Sequence, residues 1–193
     1  VLINSHTNNE FLDDQKFLPI FEALVANDTP LYIHPRQAPR QMAEAFTDYS
    51  MERALWGYAM ETSTHAIRLI MAGVFDQFPD LKIILGHMGE GLPFWMHRLD
   101  TIGGLPTTQV DIQRKPSEYI RDNFTMTTSG MSWEPVLKFS LEVLGTDKVM
   151  FAVDYPFGSY DRDTAWLDGV DIPDADKAAI YSGNAERVFG IKG

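Results

Sequence analysis

The stretch Ile83-Ile84-Leu85-Gly86-His87-Met88-Gly89-Glu90 decides how this chain is read. Three aliphatic residues form a short apolar run, the pattern of a strand buried on both faces. A glycine closes the run, a histidine follows it, and a glutamate stands three residues later. The same arrangement recurs on either side. Leu31-Tyr32-Ile33 runs into His34-Pro35, and Val149-Met150-Phe151-Ala152-Val153 runs into Asp154-Tyr155-Pro156. In a parallel barrel the C-terminal strand ends converge on one rim, and that rim carries the chemistry. His34, His87 and Asp154 are therefore expected to meet around one metal ion or one substrate.

Strands alternate with helical patterns along the chain. Residues 1–5, 31–34, 82–87, 124–128 and 149–153 read as strands. Helices are expected over 13–26, 53–75, 90–100, 133–144, 161–167 and 174–189. Loops are expected over 35–50 and 103–116. Trp56, Met60, Ile67, Met71 and Phe75 recur at steps of four or seven, which predicts the buried face of a long helix. Five strand units in alternation with helices predict a parallel α/β sheet. A closed barrel needs eight strands and typically ~250 residues. The residues therefore allow either an open doubly wound sheet or the C-terminal part of a barrel.

Composition narrows the function. The chain has 193 residues, of which 45% are hydrophobic and 12% aromatic, enough core for a single domain over residues 1–193. The net charge of -11 disfavours nucleic acid and anionic membranes as partners. No apolar run approaches the ~20 residues that cross a bilayer. Val1-Leu2-Ile3 has neither the basic lead-in of a signal peptide nor an initiator Met, so the native start is expected elsewhere. There is no cysteine, which excludes disulfides and thiolate metal sites and fits a cytoplasmic location. No Gly-rich phosphate loop, dinucleotide fingerprint or Gly-x-Ser-x-Gly elbow is present.

The strand-end residues carry the candidate chemistry. Pro35 stops the strand after His34 and turns the chain, which aims the imidazole at the rim. Glu90 lies where a helix begins, so one turn returns its carboxylate toward His87, where it would fix the tautomer and raise the pKa. A glycine-rich turn with a helix-starting Glu has the same letters without the function. Asp154 follows five apolar residues, where an unpaired buried carboxylate is costly, so it must face the rim or be paired. Trp56, Tyr155 and Phe157 are candidates for an aromatic wall. His6 follows the first strand and could line the rim or be a solvated loop residue. Arg98 could meet a substrate anion or a neighbouring subunit. His65 is expected to pack or hydrogen-bond between helix and barrel.

The blocks Tyr32-Ile33-His34-Pro35-Arg36, Trp56-Gly57 with Glu61-Thr62 and His65-Ala66, Gly86-His87-Met88-Gly89-Glu90-Gly91-Leu92-Pro93 and Phe151-Ala152-Val153-Asp154-Tyr155-Pro156 resemble the amidohydrolase-related hydroxybenzoate decarboxylases. That group includes resorcylate, dihydroxybenzoate and 5-carboxyvanillate decarboxylases. The resemblance implies a TIM-barrel-type (β/α)8 fold, of which this chain would hold about five C-terminal β/α units. It implies one divalent cation (Zn, Mn or Mg), with His34 and Asp154 as ligands. It also implies Asp154 as proton donor, and His87 near metal and substrate with Glu90 as its partner. The expected reaction is non-oxidative decarboxylation of an ortho-hydroxylated aromatic acid, a carboxy-lyase activity. A hydrolase or hydratase on the same scaffold, or a non-catalytic barrel piece, is the alternative. The family's Glu-x-His or His-x-His pair is absent from this sequence. An open sheet would leave strand faces to be covered, so a homo-oligomer, dimer or tetramer, is expected.

Overall fold

The structure, a computed structural model, describes residues 1–105 and 107–191. Pro106, inside the expected 103–116 loop, lies outside the described residues, as do Lys192 and Gly193 at the end of the expected domain. Five strands form one parallel sheet: β1 Leu2–Asn4, β2 Leu31–His34, β3 Ile83–Leu85, β4 Phe124–Thr127 and β5 Val149–Met150. Their spatial order follows the chain order without reversal. A doubly wound sheet reverses its order at a switch point, whereas a barrel adds strands in sequence. The sheet is therefore the barrel type, with five of its strands present.

Helices follow the strands. They are α1 Leu18–Ala26, α2 Arg40–Ala43, α3 Gly57–Met71, α4 Val74–Gln77 and α5 Leu92–Gly103. After them come α6 Pro116–Asn123, α7 Glu134–Leu144, α8 Tyr160–Gly169, α9 Asp174–Ala178 and α10 Asn184–Phe189. No helix among the described residues is long and apolar enough to cross a membrane. Side chains alternate along β2: Leu31 and Ile33 join Phe21 and Leu24 of α1, and Ala66, Leu69 and Ile70 of α3, in the largest apolar cluster. Tyr32 turns to the opposite face, where it packs with Ile84, Met150 and Val188. Each fully buried Leu, Ile or Phe contributes roughly 1.5–3 kcal/mol, which fixes the register of these short strands.

Four expectations need correction. The helix expected over 53–75 begins at Gly57 and breaks at Gly73, whose φ of +69° separates α3 from α4. The face that α3 buries is Glu61, Thr62, His65, Ala66, Leu69 and Ile70, and the apolar stripe from Met60 to Met71 is only half-buried. Polar residues with hydrogen-bond partners bury as readily as apolar ones, so periodicity alone chose the wrong face. The helix α6 has no counterpart in the sequence reading. Its start signals are present all the same: Pro116 opens the first turn, and Glu118 accepts the Lys115 N–H at 3.1 Å. Finally, the strand expected over 149–153 pairs only at Val149 and Met150, because Phe151 donates its N–H to the carbonyl of Ile180, between α9 and α10, instead.

Candidate active site

Because the strands are parallel, their C-terminal ends share one edge. Register sets Asn4 beside His34, Ile33 beside Leu85, Leu85 beside Met126 and Thr127 beside Met150. His34 ends β2, and His87 comes two residues after β3. Ser129 and Gly130 follow β4, and Asp154 follows β5. Thr128 holds that last segment in place although no strand continues there. Its hydroxyl donates to the Ala152 carbonyl at 2.8 Å and accepts the Ala152 N–H at 3.0 Å.

The backbone under His87 is left-handed. Every residue from His87 to Gly91 has positive φ: 49° at His87, 54° at Met88, 76° at Gly89, 54° at Glu90 and 79° at Gly91. Hydrogen bonds from Gly89 N to Gly86 O (2.7 Å) and from Glu90 N to His87 O (3.2 Å) close this tight turn. Glycine suits position 89, because it holds the positive φ without strain and a Cβ there would lie 2.5 Å from the Met126 sulfur and force that side chain to shift. Ser129 Oγ accepts the His87 N–H at 3.2 Å.

The turn brings Glu90 Oε1 to 2.6 Å from His87 Nδ1, with the Glu90 side chain almost wholly buried. With Nδ1 donating to that carboxylate, Nε2 faces Asp154, whose Oδ2 is 3.9 Å away. Burial pulls the His87 pKa down, but Glu90 and Asp154 outweigh it and leave the pKa raised above its ordinary value. His87, Glu90 and Asp154 line a cavity of about 480 Å³ with Gly130, Met131, Trp56, Tyr58, Phe94 and Trp95. That volume suits a small organic ligand.

Other sequence-predicted residues lie elsewhere. Tyr155 and Phe157 do not line this cavity; they are 72% and 87% exposed. Hydrogen bonds from the Phe157 and Gly158 N–H groups to the Asp154 carbonyl turn the chain away just after the aspartate. Tyr58, Phe94 and Trp95 join Trp56 in the wall that sequence reasoning gave to Tyr155 and Phe157. Arg98 is exposed on α5, beside a separate apolar groove with Met60, Ile67 and Ile102. His6 is buried, and its Nε2 lies 3.0 Å from the Gln37 carbonyl. His34 keeps a buried Nδ1 without a hydrogen-bond partner among the described residues. Among the described residues no three His, Asp or Glu side chains converge as metal ligands. Gly130 is the contact that sequence reasoning missed: a Cβ there would lie 2.9 Å from His87 Cδ2. The polar, small-residue run Thr127-Thr128-Ser129-Gly130 after an apolar strand was its only signal.

A family model described as Amidohydrolase matches residues 1–191. The chain belongs to the amidohydrolase family. Among curated relatives, the gamma-resorcylate decarboxylase of Polaromonas sp. strain JS666 is 36% identical over 184 residues, covering 94% of this chain and 56% of the relative. Among solved structures, 5-carboxyvanillate decarboxylase from Sphingomonas paucimobilis superposes with a TM-score of 0.96 at 48% identity, covering 100% of this chain and 58% of that one. A 5-carboxyvanillate decarboxylase from Novosphingobium aromaticivorans, complexed with manganese and 4-hydroxy-3-methoxy-5-nitrobenzoic acid, superposes with a TM-score of 0.95 at 38% identity. That match covers 99% of this chain and 56% of that structure. This amidohydrolase chain thus spans somewhat over half the length of the relatives it matches.

Proposed function

We propose that the protein containing this chain catalyses metal-dependent, non-oxidative decarboxylation of an ortho-hydroxylated aromatic carboxylic acid. The observation that carries the reading is the His87–Glu90 pair, 2.6 Å apart, facing Asp154 across 3.9 Å in a cavity walled by aromatic rings. Similarity to decarboxylases of aromatic acids supports the substrate class. Manganese in one related structure supports a divalent cation. A cytoplasmic homo-oligomer, with residues 1–193 as a single domain, completes the reading.

The residues fit such a cation in part. The buried Nδ1 of His34 has no hydrogen-bond partner among the described residues, which supports an imidazole kept for a ligand, and Asp154 offers a carboxylate on the same edge. His34 and Asp154 would hold the ion, and the remaining donors would come from the length of its relatives that this chain does not span. When bound, the cation would supply positive charge that stabilises the anionic oxygens of the substrate.

The chain's own residues account for the rest. The aromatic wall orients the ring by stacking and sheds water from it. Asp154 delivers a proton to the carboxylate-bearing ring carbon, which breaks aromaticity. Cleavage of the bond to the carboxylate restores aromaticity, releasing carbon dioxide and leaving a hydrogen on that carbon. Glu90 keeps the Nδ1 proton of His87 in place and thereby directs Nε2 at Asp154, so the imidazole can steady the carboxyl group as its charge changes. The test is incubation of the complete protein, loaded with manganese, with a panel of hydroxybenzoates in deuterated water. Carbon dioxide release with one deuterium on the vacated ring carbon is the expected result. Turnover of lactones with no hydroxybenzoate consumed would instead favour hydrolysis.

A further inference from the structure

A second buried polar network lies beside the site, and the mechanism above does not use it. Glu61, Thr62 and His65 of α3 are fully buried, as is Ser5 just after β1. The Leu12 N–H donates to His65 Nε2 at 3.0 Å, so that nitrogen carries no proton. His65 Nδ1–H must then donate to Ser5 Oγ, 2.8 Å away, and the Ser5 hydroxyl donates onward to Glu61 Oε1 at 2.5 Å. Thr62 Oγ1 donates to the other carboxylate oxygen at 3.2 Å. Burial drives His65 down to about 4, which keeps this neutral tautomer. A serine between a histidine and a carboxylate is not a nucleophile arrangement, because its proton points at the acid and the histidine donates to it.

The network ends on the rim. Ser5 holds a left-handed φ of 37°, a strained conformation for a serine, and its two side-chain partners account for that. Ser5 and Leu12 bracket the loop after β1, so α3 grips both ends of it. This loop in turn grips the loop after β2. His6 Nε2 meets the Gln37 carbonyl at 3.0 Å, and Arg36 Nη1 donates to the His6 carbonyl at 3.0 Å. Arg36 stands two residues after His34.

We propose that Glu61 is a positioning residue: with Ser5 and His65 it locks the loop after β1 onto α3, and through His6, Arg36 and Gln37 that lock orients His34. The claim rests on the reading of His34 as a metal ligand, and its test separates the two. Glu61→Gln keeps the shape but replaces one acceptor oxygen by a donor, so one of the hydrogen bonds converging on it is lost. The complete protein is compared with this variant and with Asn123→Ala. Asn123 is buried on α6, where it donates to the Pro79 and Leu81 carbonyls. Manganese affinity is read by electron paramagnetic resonance, and amide exchange by mass spectrometry.

Glu61→Gln should weaken manganese binding by about 10–100-fold, the range for outer groups that orient a ligand. Residues 5–12 and 33–38 should exchange faster together, with residues 117–127 unchanged. Asn123→Ala should lower the thermal midpoint yet bind manganese as the parent does. Unchanged manganese affinity in Glu61→Gln, faster exchange confined to residues 5–12, or equal manganese loss in Asn123→Ala would each overturn the proposal. If Glu61→Gln yields no folded protein, Ser5→Ala decides, with a loss of manganese affinity expected and no loss overturning. A parent that binds no manganese would overturn the metal reading of His34 and the orienting claim with it, while the exchange pattern would still decide whether Glu61 locks the two loops.

Discussion

Gly130→Ala isolates the placement of His87 from the stability of the fold. The added Cβ would lie 2.9 Å from His87 Cδ2 and 3.8 Å from Asp154 Oδ2. Carbon atoms in contact prefer ~3.5–4.0 Å, so the imidazole must retreat by roughly half an ångström or more. It cannot retreat freely, because Nδ1 is held at 2.6 Å by Glu90. A misplacement of ~1 Å can cost about 10² in rate, so a loss near tenfold is expected in turnover. The backbone carries a separate cost. Gly130 has a φ of +64°, where alanine is less stable by ~1–2 kcal/mol, which lowers the thermal midpoint by roughly 2–8 °C. Gly190→Ala is the matched control. It has the same φ of +64°, lies beyond α10, and its Cβ would meet nothing within 4 Å. Both variants should lose similar stability, and only Gly130→Ala should lose turnover on whichever hydroxybenzoate the complete parent protein consumes. Turnover by Gly130→Ala within twofold of Gly190→Ala would refute the argument that contact with His87 sets the rate.

Asp154→Asn in the complete protein should lower turnover by about 10²–10⁴-fold, as for a lost general acid, with circular dichroism unchanged; near-parental turnover would remove Asp154 as proton donor. Trp56→Ala should raise KM about 2–10-fold with little change in kcat, because it removes one stacking face of the cavity; a purely kcat effect, read from steady-state kinetics, would contradict that. His65 gives a pH signature. The unfolded chain takes up its proton near 6.5 and the folded chain only near 4, so stability present above pH 6.5 is lost as pH falls through that window, by about 3 kcal/mol. Glu61, raised to about 7 by burial, slopes the opposite way between 4.5 and 7, so the His65 contribution is read as the difference between parent and His65→Gln. Equal acid slopes in denaturant titrations of the two would show that His65 does not titrate this way.

The strands are legible because parallel, doubly covered strands read as unbroken apolar runs, and 31–33 and 83–85 are such runs. The approach of Glu90 to His87 is legible too, since a tight turn of either hand brings a residue three positions on back beside the first. The hand of that turn is not. Gly86, Gly89 and Gly91 permit positive φ, but nothing in the letters requires it of His87, Met88 and Glu90. Tyr155 and Phe157 lie outside the cavity for a related reason. Tyr155 and Phe157 adjoin Asp154 in sequence, yet the turn after Asp154, itself at φ +61°, sends them outward. Gly130 and Ser129 reach His87 through space from another strand end, which no local pattern reports. The α3 face is misread because apolar periodicity ranks methionines above a glutamate whose partner Ser5 lies 56 residues away in the chain.

The left-handed run from His87 to Gly91 also bears on transplantation. Three of its five residues have a Cβ, and each of those costs ~1–2 kcal/mol in that conformation. A peptide of this sequence would relax at once into right-handed or extended forms and scatter the imidazole from the carboxylate. The shape persists only because the Met126 sulfur, the Ser129 hydroxyl and the buried Glu90 surround it. A designer moving this chemistry to another scaffold would therefore have to carry the end of β4 and the residues just after it along with the pentapeptide, since the information that shapes the motif resides some forty residues away.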